Sequence, residues 1–309
     1  MSPALTRRHF LGSIALATLA RAQEQDATFS TGVDVVNLLA NIRNRRGELV
    51  KDLTKEDFAL LENGHPQTIR YFTRETDLPL VIGLMIDTSG SQQRVLDAER
   101  GGAMRFLDQV LREGKDKVFI EQFDTYIRPR ATLTSSRDKL DQALAFVDTQ
   151  TLKELRSVGG ETLLYDAIVQ ASEEIMKPLT GRKALIVLTD GDDNGSEKTL
   201  ADAIDSAHRG GTMVYSILYT DSFSGGRDGR PILKRLSSET GGGYFEVSKK
   251  LPIDQVFAII EEDLRNQYSI GYVSDRPPEF AEFRKIQLSV KRQGVIVQAR
   301  DRYWAVPAH

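Results

Sequence analysis

Between Leu78 and Leu264, short apolar runs alternate with stretches of helical periodicity, and this alternation constrains the fold more than any other feature. Between the runs, apolar residues recur at spacings of three and four, which is the pattern of helices with one buried face. A nearly continuous apolar strand is buried on both faces, which requires helices on both sides of a mostly parallel sheet. The sequence therefore predicts a doubly wound α/β domain. Its strand-like runs end at Asp87, Asp124, Asp190 and Thr220.

Shorter segments on either side of this region have the pattern of β-structure. Residues 28–77 contain Asn63-Gly64 between two apolar-rich runs, which is a strong signal for a hairpin turn. Residues 266–306 contain further strand-like runs, of which the last is GVIVQARDRYW. Neither segment is long enough for a comfortable core of its own. We therefore expect an α/β domain over 78–265, flanked by two β segments that pack together as one small β region.

The first 22 residues have the pattern of an export signal. Two arginines precede an apolar run from Phe10 to Ala20, and Ala20-Arg21-Ala22 is similar to a cleavage site. The stretch from Thr6 to Leu11 also resembles the twin-arginine export consensus. So short a run cannot span about 30 Å of hydrocarbon, and we expect no transmembrane span in the mature chain. The sequence thus predicts an exported protein, periplasmic or extracellular, with a buried amphipathic helix as the alternative for this segment.

Composition excludes several classes of site and partner. The chain of 309 residues has no cysteine, which excludes disulfide scaffolds, thiol catalysis and iron–sulfur clusters. Its 41 basic and 44 acidic side chains give a net charge of -3, whereas a nucleic-acid-binding protein would show a basic face. Cleavage of the signal would remove three arginines and no acid, so the mature chain is more acidic still. We predict no nucleic-acid partner.

The segment Asp87-Thr88-Ser89-Gly90-Ser91 contains the most informative chemistry. It closes the first buried strand, and doubly wound sheets bind ligands beyond the carboxyl ends of their strands. Alternate residues of an extended chain share one side, so Asp87, Ser89 and Ser91 can direct three oxygen atoms into that crevice. Oxygen donors without a nearby His or Cys suit Mg²⁺ or a related hard cation and do not suit zinc or copper.

Two further loops are predicted to reach the same crevice. Asp190 occupies the corresponding place at the end of another strand, and Thr162 follows Gly159-Gly160-Glu161 just ahead of a helix. Taken alone, Thr162 is typical of a helix cap, and an Asp-x-Ser-x-Ser segment alone is typical of a local turn. Their predicted position around one crevice favours a ligand site over these local roles.

With these residues the sequence resembles the von Willebrand factor type A domain and its metal-ion-dependent adhesion site. The resemblance covers residues 78–264 and includes the stretches GGETLLYDAI, LTDGDDN and ETGGGYFEV. It implies five metal ligands, which are Asp87, Ser89, Ser91, Thr162 and Asp190. The serines are then direct ligands, while the threonine and the carboxylates bind directly or through water. With its signal and its terminal β segments, the whole chain resembles the VWFA-related proteins of acidobacteria.

The resemblance also implies a Rossmann-like fold, a cofactor and a mode of binding. The cofactor is Mg²⁺, with Mn²⁺ or Ca²⁺ as alternatives, and water completes its coordination. A protein partner supplies an Asp or Glu that replaces one water, as in adhesion or assembly modules. One departure makes a second, adjacent calcium site doubtful, because Gln92, Gln93 and Arg94 stand where acids would be needed.

Protein binding rather than catalysis is the functional prediction, and two alternatives stay open. Only His65 and His208 lie within the mature chain away from its end, and neither accompanies a nucleophile signature, so no catalytic triad is expected. A Mg²⁺-dependent phosphoryl-transfer enzyme is one alternative, although its usual second acid is replaced by Ser89. The other is a scaffold subunit of an envelope complex with a vestigial metal site. The partner's identity and the oligomeric state stay open.

Overall fold

The structure, a computed structural model, describes residues 35–74, 78–149, 160–219 and 228–307. The predicted export signal over residues 1–22, Gly159 of the threonine loop and Thr220 lie outside these described residues. The strands are β1 (Val35–Asn44), β2 (Phe58–Glu62), β3 (His65–Gln67), β4 (Ile69–Thr73), β5 (Leu80–Asp87), β6 (Lys117–Phe123), β7 (Ile127–Thr134), β8 (Arg182–Thr189), β9 (Thr212–Leu218), β10 (Tyr244–Glu246), β11 (Tyr268–Val273), β12 (Glu282–Val290), β13 (Val295–Ala299) and β14 (Arg302–Ala305). The helices are α1 (Leu96–Val110), α2 (Arg137–Ala145), α3 (Leu164–Gln170), α4 (Leu200–Arg209), α5 (Arg230–Thr240) and α6 (Ile253–Arg265), and a π-helical turn (Ala171–Met176) extends α3.

The central sheet has six strands in the order β10-β9-β8-β5-β6-β7. Its strands are parallel except β7, which pairs antiparallel with β6 at one edge. Helices α1, α2 and α6 pack on one face, and α3, α4 and α5 pack on the other. Along β5, Leu84 and Ile86 are buried in the first layer and Met85 in the second. The predicted doubly wound, mostly parallel α/β architecture is therefore confirmed.

Two antiparallel sheets combine strands from both sides of the α/β region in the sequence. Their strand orders are β13-β1-β11-β4 and β14-β12-β2-β3. Between β2 and β3, Asn63 and Gly64 have φ angles of 47° and 82°, the left-handed pair that a two-residue type I′ hairpin requires. One hydrophobic cluster contains residues of both sheets, among them Leu38, Phe58 and Ile286. The two antiparallel sheets therefore share a core.

A buried carboxylate at Glu62 joins strands within this β region. Glu62 is 3% exposed, and Arg284 Nη1 donates a hydrogen bond to Glu62 Oε1 at 2.8 Å. The hydroxyls of Tyr272 and Tyr303 donate to its Oε2 at 2.8 and 2.9 Å. Burial, with this bond to Glu62, raises the pKa of Tyr303 to about 12. Because the buried charges are paired and hydrogen-bonded, they are compatible with the surrounding core.

The sequence predicts a single strand over the C-terminal run GVIVQARDRYW, whereas the structure has two strands there, β13 and β14. β13 pairs with β1 in one antiparallel sheet, and β14 pairs with β12 in the other. The break falls at Arg300 and Asp301, where Arg300 Nη2 donates to the backbone oxygen of Asn37 at 2.7 Å. An alternating pattern gives the faces of a strand but not its neighbours, so the change of sheet leaves no mark in the sequence.

Helix α5 is a second feature that the apolar pattern does not reveal. Only Leu233 and Leu236 are apolar among its buried residues, because Ser237 and Thr240 complete the buried face. The helix ends at Gly241, whose φ of 85° is the left-handed conformation of a glycine C-cap.

Within the described part of the chain, no helix combines the length and apolar character needed to cross a membrane.

Candidate metal centre

Asp87 and Asp190 lie at the ends of neighbouring strands, where the connections of the sheet change direction. The chain leaves β5 toward β6 on one side and later adds β8 on the other side. The helix after β5 packs on one face of the sheet and the helix after β8 on the opposite face. The loops therefore separate and leave a crevice, which is where doubly wound sheets bind ligands. Asp87 is the last residue of β5, and Asp190 directly follows β8.

Hydrogen bonds fix the loop that follows β5. The backbone N–H of Ser89 donates to Asp87 Oδ1 at 2.9 Å, and Thr189 Oγ1 at the end of β8 donates to Asp87 Oδ2 at 2.6 Å. The hydroxyl oxygens of Ser89 and Ser91 lie 3.0 Å apart. A 3₁₀ turn, Gly90–Gln92, follows. The carboxylate of Asp87 thus has a fixed orientation, with the two serine hydroxyls side by side in the same loop.

The loop that contains Thr162 is attached to the loop that follows β8. The backbone N–H of Thr162 donates to Asn194 Oδ1 at 2.7 Å, and the Thr162 carbonyl accepts from the Gly195 N–H at 3.2 Å. In that second loop, Asp190 Oδ1 accepts the backbone N–H two residues further on at 3.0 Å. Leu163, not Thr162, is the N-cap residue of α3. Helix capping therefore does not account for Thr162.

Burial and like charge make the crevice unfavourable for carboxylates without a counterion. Asp87 is fully buried, and its pKa is raised to about 7. Burial is the larger cause of this rise, and the charge of Asp190 is the smaller one. The hydrogen bonds from Ser89 and Thr189 act in the opposite direction but do not cancel these effects. A cation bound to both carboxylates would favour their charged forms and so oppose both effects.

A second fully buried acid near the crevice, Glu99 on α1, is not among the residues that the sequence predicts for this site. Glu99 is 0% exposed, and neither of its carboxylate oxygens has a hydrogen-bond partner among the described residues. Burial, followed by the charges of Asp87 and Asp190, raises the pKa of Glu99 well above its usual value. A signal was present in the sequence, because Glu99 occupies the apolar stripe of α1 between Leu96 and Ala103, where an unpaired acid is rare.

The donor atoms in the crevice match the preferences of a hard divalent cation. The five candidate ligands offer carboxylate and hydroxyl oxygens only, as Mg²⁺, Mn²⁺ and Ca²⁺ favour. Two carboxylates equal the charge of one divalent ion. Over the ranges that the structure describes, no group of three or more His, Asp or Glu side chains is arranged to hold a metal.

Comparison with solved structures identifies several proteins of similar fold at low sequence identity. Proximal thread matrix protein 1 from the mussel byssus, with a zinc-occupied MIDAS motif, has a TM-score of 0.51 and 16% identity over 67% of this chain and 50% of its own. A von Willebrand factor type A protein from Catenulispora acidiphila has a TM-score of 0.48 and 15% identity over 82% of this chain and 74% of its own. The conserved hypothetical protein BatB from Bacteroides thetaiotaomicron has a TM-score of 0.47 and 16% identity over 61% of this chain and 97% of its own.

A family model defines the relationship more firmly than these structures, whose low identities indicate the fold alone. The model described as von Willebrand factor type A domain matches residues 82–258, which is more than half of the chain. No curated protein matches the sequence. The matched residues include most of β5, all of β8 and the loops after them that form the crevice. The chain therefore belongs to the von Willebrand factor type A domain family.

Proposed function

We propose that this protein is an exported binding module that holds a divalent cation at Asp87, Ser89, Ser91, Thr162 and Asp190. The cation, Mg²⁺ in our assignment with Mn²⁺ or Ca²⁺ as alternatives, would supply a Lewis-acidic point at which an Asp or Glu of a partner protein binds. Adhesion or assembly, rather than catalysis, is the proposed role. The observation that carries this proposal is the fully buried Asp87 beside Asp190 and two adjacent serine hydroxyls.

The surrounding residues support the proposal because they orient donors without consuming all of them. Thr189 and the Ser89 N–H each donate one hydrogen bond to Asp87, and a carboxylate has about four lone-pair sites. The serine hydroxyls lie 3.0 Å apart, and the Ser89 side chain also forms a hydrogen bond with Asp87. Lone pairs are therefore left on both kinds of oxygen, so they can face an ion without losing the bonds that position them.

The mussel byssus protein supports the class of cofactor, because its MIDAS motif holds zinc. Zinc and magnesium are both divalent, but Mg²⁺ prefers a site built only of oxygen ligands. The five proposed ligands are all of that type. We therefore propose magnesium here, with the divalent charge as the property shared with that structure.

Isothermal titration calorimetry with MgCl₂ on the metal-free protein tests the cofactor. We expect saturable Mg²⁺ binding by the native protein, and loss of binding in Asp87→Ala and Ser91→Ala. Asp52→Ala is a matched control, because Asp52 is an exposed acid between β1 and β2 that pairs with Arg292 at 2.7 Å. Equal Mg²⁺ binding by the Asp87→Ala, Ser91→Ala and control variants would refute this metal site.

Affinity capture from a cell-envelope extract in Mg²⁺ tests the proposed partner. The native protein should retain a partner that is released by EDTA and is absent from captures with Asp87→Ala. Capture that is indifferent to both changes would favour the scaffold alternative. Release of phosphate from generic phosphomonoesters, dependent on Asp87, would instead favour the phosphoryl-transfer enzyme.

Export is proposed from the N-terminal sequence and is tested separately. We expect the mature protein to begin after Ala22, and N-terminal sequencing of envelope and secreted fractions would detect that end. Replacing Arg7 and Arg8 by lysine should retain the chain inside the cell if the twin-arginine route is used. An unprocessed chain in the cytoplasm of the native strain would contradict this proposal.

A further inference from the structure

A cavity of about 220 Å³ lies at the edge of the central sheet opposite the candidate metal centre. Lys183 near the start of β8 and Thr212 at the start of β9 line it, whereas the metal centre is at the far ends of β5 and β8. Asn37 of β1 and Arg300, between β13 and β14, complete its wall from the β region. The cavity is thus spatially separate from the carboxylates of the metal centre.

Basic side chains line this cavity without acidic ones. Lys183, His208 and Arg300 contribute to its wall, and none of the lining residues that the structure describes is Asp or Glu. Ion pairs to Lys183 or Arg300 are likewise absent among the described residues, since both side chains bond only to backbone carbonyls. Asn37 and Gly211, both exposed, line it as well, so the cavity is open to solvent. The lining therefore has the charge of an anion site.

Hydrogen-bond donors stay available on these side chains. Lys183 Nζ donates to the Leu179 and Met176 carbonyls at 2.8 and 3.2 Å, which leaves one of the three donors of an ammonium group. Arg300 uses Nη2 for the Asn37 carbonyl at 2.7 Å, and its Nε is buried with no hydrogen-bond partner in the described chain. A buried donor without a partner is unfavourable, and an anion in the cavity would satisfy it.

His208 adds a second buried polar atom with no partner. The residue is 4% exposed, and its Nε2 lies 3.8 Å from Asp301 Oδ1, beyond hydrogen-bond distance. Arg302, one of two arginines that act on this imidazole, is already paired with Asp205 and Glu239 at 3.1 Å. Burial, then Arg302 and Arg300, lowers the pKa of His208 to about 3, so a neutral imidazole is the form that lines the cavity.

The repulsion between Lys183 and Arg300 also favours an anion in this cavity. Burial, followed by the charge of Arg300, lowers the pKa of Lys183. An anion placed between them would offset both causes, and a dianion would match their combined charge. Because one water occupies about 30 Å³ of liquid, a cavity of about 220 Å³ has room for a tetrahedral oxyanion and several waters.

We propose that this cavity is a binding site for a phosphate group, held by Lys183 and Arg300. The shared chemistry is the tetrahedral oxyanion, carried either by inorganic phosphate or by a phosphomonoester. The site is independent of the metal centre, because it uses none of the five proposed metal ligands. All measurements are therefore made in EDTA, so that failure of either proposal can be recognised separately.

Titration with inorganic phosphate, followed by calorimetry and by the rise in unfolding temperature, tests the proposal. We expect saturable binding by the native protein, and at least about 10-fold weaker binding in Arg300→Gln and in Lys183→Gln, since hydrogen bonds to charged groups are the strong ones. Arg292→Gln, which removes an exposed arginine elsewhere, is the matched control and should bind as the native protein does.

Salt controls decide between a site and general ionic effects. Chloride at equal ionic strength and acetate should both fail to saturate the protein, and an equal response to either would overturn the assignment. Binding of glycerol phosphate as tightly as inorganic phosphate supports a phosphomonoester ligand, whereas binding of inorganic phosphate alone supports the free ion.

Circular dichroism checks the fold of each variant, and Lys183→Gln tests the site even where Arg300→Gln does not fold. Unchanged phosphate affinity in the folded variants would refute the proposal.

Discussion

Glu121 provides a test of how burial controls protonation in this fold. It lies on β6 between Phe119 and Phe123, is 3% exposed, and has one carboxylate oxygen, Oε2, with no hydrogen-bond partner in the described chain. Burial first, and the charge of Glu174 second, raises its pKa from 4.5 to about 7. We expect Glu121→Gln to stabilise the protein at alkaline pH, because glutamine has the shape of the protonated acid and cannot ionise.

The sign and size of this effect follow from proton linkage. The folded protein holds the proton of Glu121 more tightly than the unfolded chain does, so the stability that this proton contributes is complete below pH 4.5. That contribution is lost as the pH rises through about 7. At about 1.4 kcal/mol per pKa unit, the rise from 4.5 to about 7 corresponds to about 3 kcal/mol.

Urea unfolding of the native and variant proteins over a series of pH values measures the effect. The free energy of unfolding of Glu121→Gln minus that of the native protein should rise by about 3 kcal/mol from below pH 4.5 to above pH 7. The subtraction cancels other titrating groups, and EDTA keeps metal binding out of the comparison. Glu174→Gln is the control, since it removes the lesser cause of the shift and should give a much smaller change.

A difference between the two proteins that stays constant over this pH range would refute the reasoning. It would mean that Glu121 keeps an ordinary pKa in the folded protein, through solvent access or through a partner that stabilises its charge. A fall in the relative stability of the variant with rising pH would also contradict it, because that sign requires a depressed pKa.

Three further changes test the packing. Glu62→Leu should cost about 3 kcal/mol in urea unfolding, because the buried guanidinium of Arg284 loses its buried carboxylate and keeps only the more exposed Glu282; a loss below about 1 kcal/mol would show that the pair is dispensable. Gly83→Ala would place its Cβ 2.3 Å from Phe119 Cζ and should lower the unfolding free energy by about 1–3 kcal/mol, and an unchanged value would contradict that clash. Deleting residues 274–309 removes β12, β13 and β14, so hydrogen exchange at the amides of 69–72 should become faster; unchanged protection would count against a shared β region.

The α/β part of the fold could be predicted because its strands are buried on both faces. An apolar run as short as LVIGLMID, bounded by turn residues, favours a buried strand over a helix, and β5 forms there with every residue buried. Strand β7 is different, because none of its residues is fully buried and Pro129 interrupts its apolar pattern. Half-buried edge strands resemble loops in a single sequence, so the antiparallel edge of the sheet could not be predicted.

The candidate site could be predicted where its residues are adjacent in the sequence. Asp87, Ser89 and Ser91 share one loop, and the end of a buried strand fixes where that loop lies. The contribution of Thr189 required three-dimensional contacts, since a threonine at the end of a strand has no local mark of its role. Glu99 interrupts an apolar helical stripe, but its nearness to Asp87 and Asp190 appears only in the folded structure. The same holds for the phosphate cavity, whose Lys183 and Arg300 are far apart along the chain.

The short connection between α6 and β11 determines how this last helix can move. Only two residues separate Arg265, where α6 ends, from Tyr268, where β11 begins, and β11 is hydrogen-bonded to a strand on each side. Asp263 and Arg265 hold the same end of α6 through ion pairs with Arg43 and Asp116, both at 2.6 Å. A lengthwise slide by one helical turn, about 5.4 Å, would pull β11 more than one residue, about 3.4 Å, out of register. The C-terminal end of α6 is therefore anchored, and any displacement of the helix that keeps the antiparallel sheet intact has to leave that end in place.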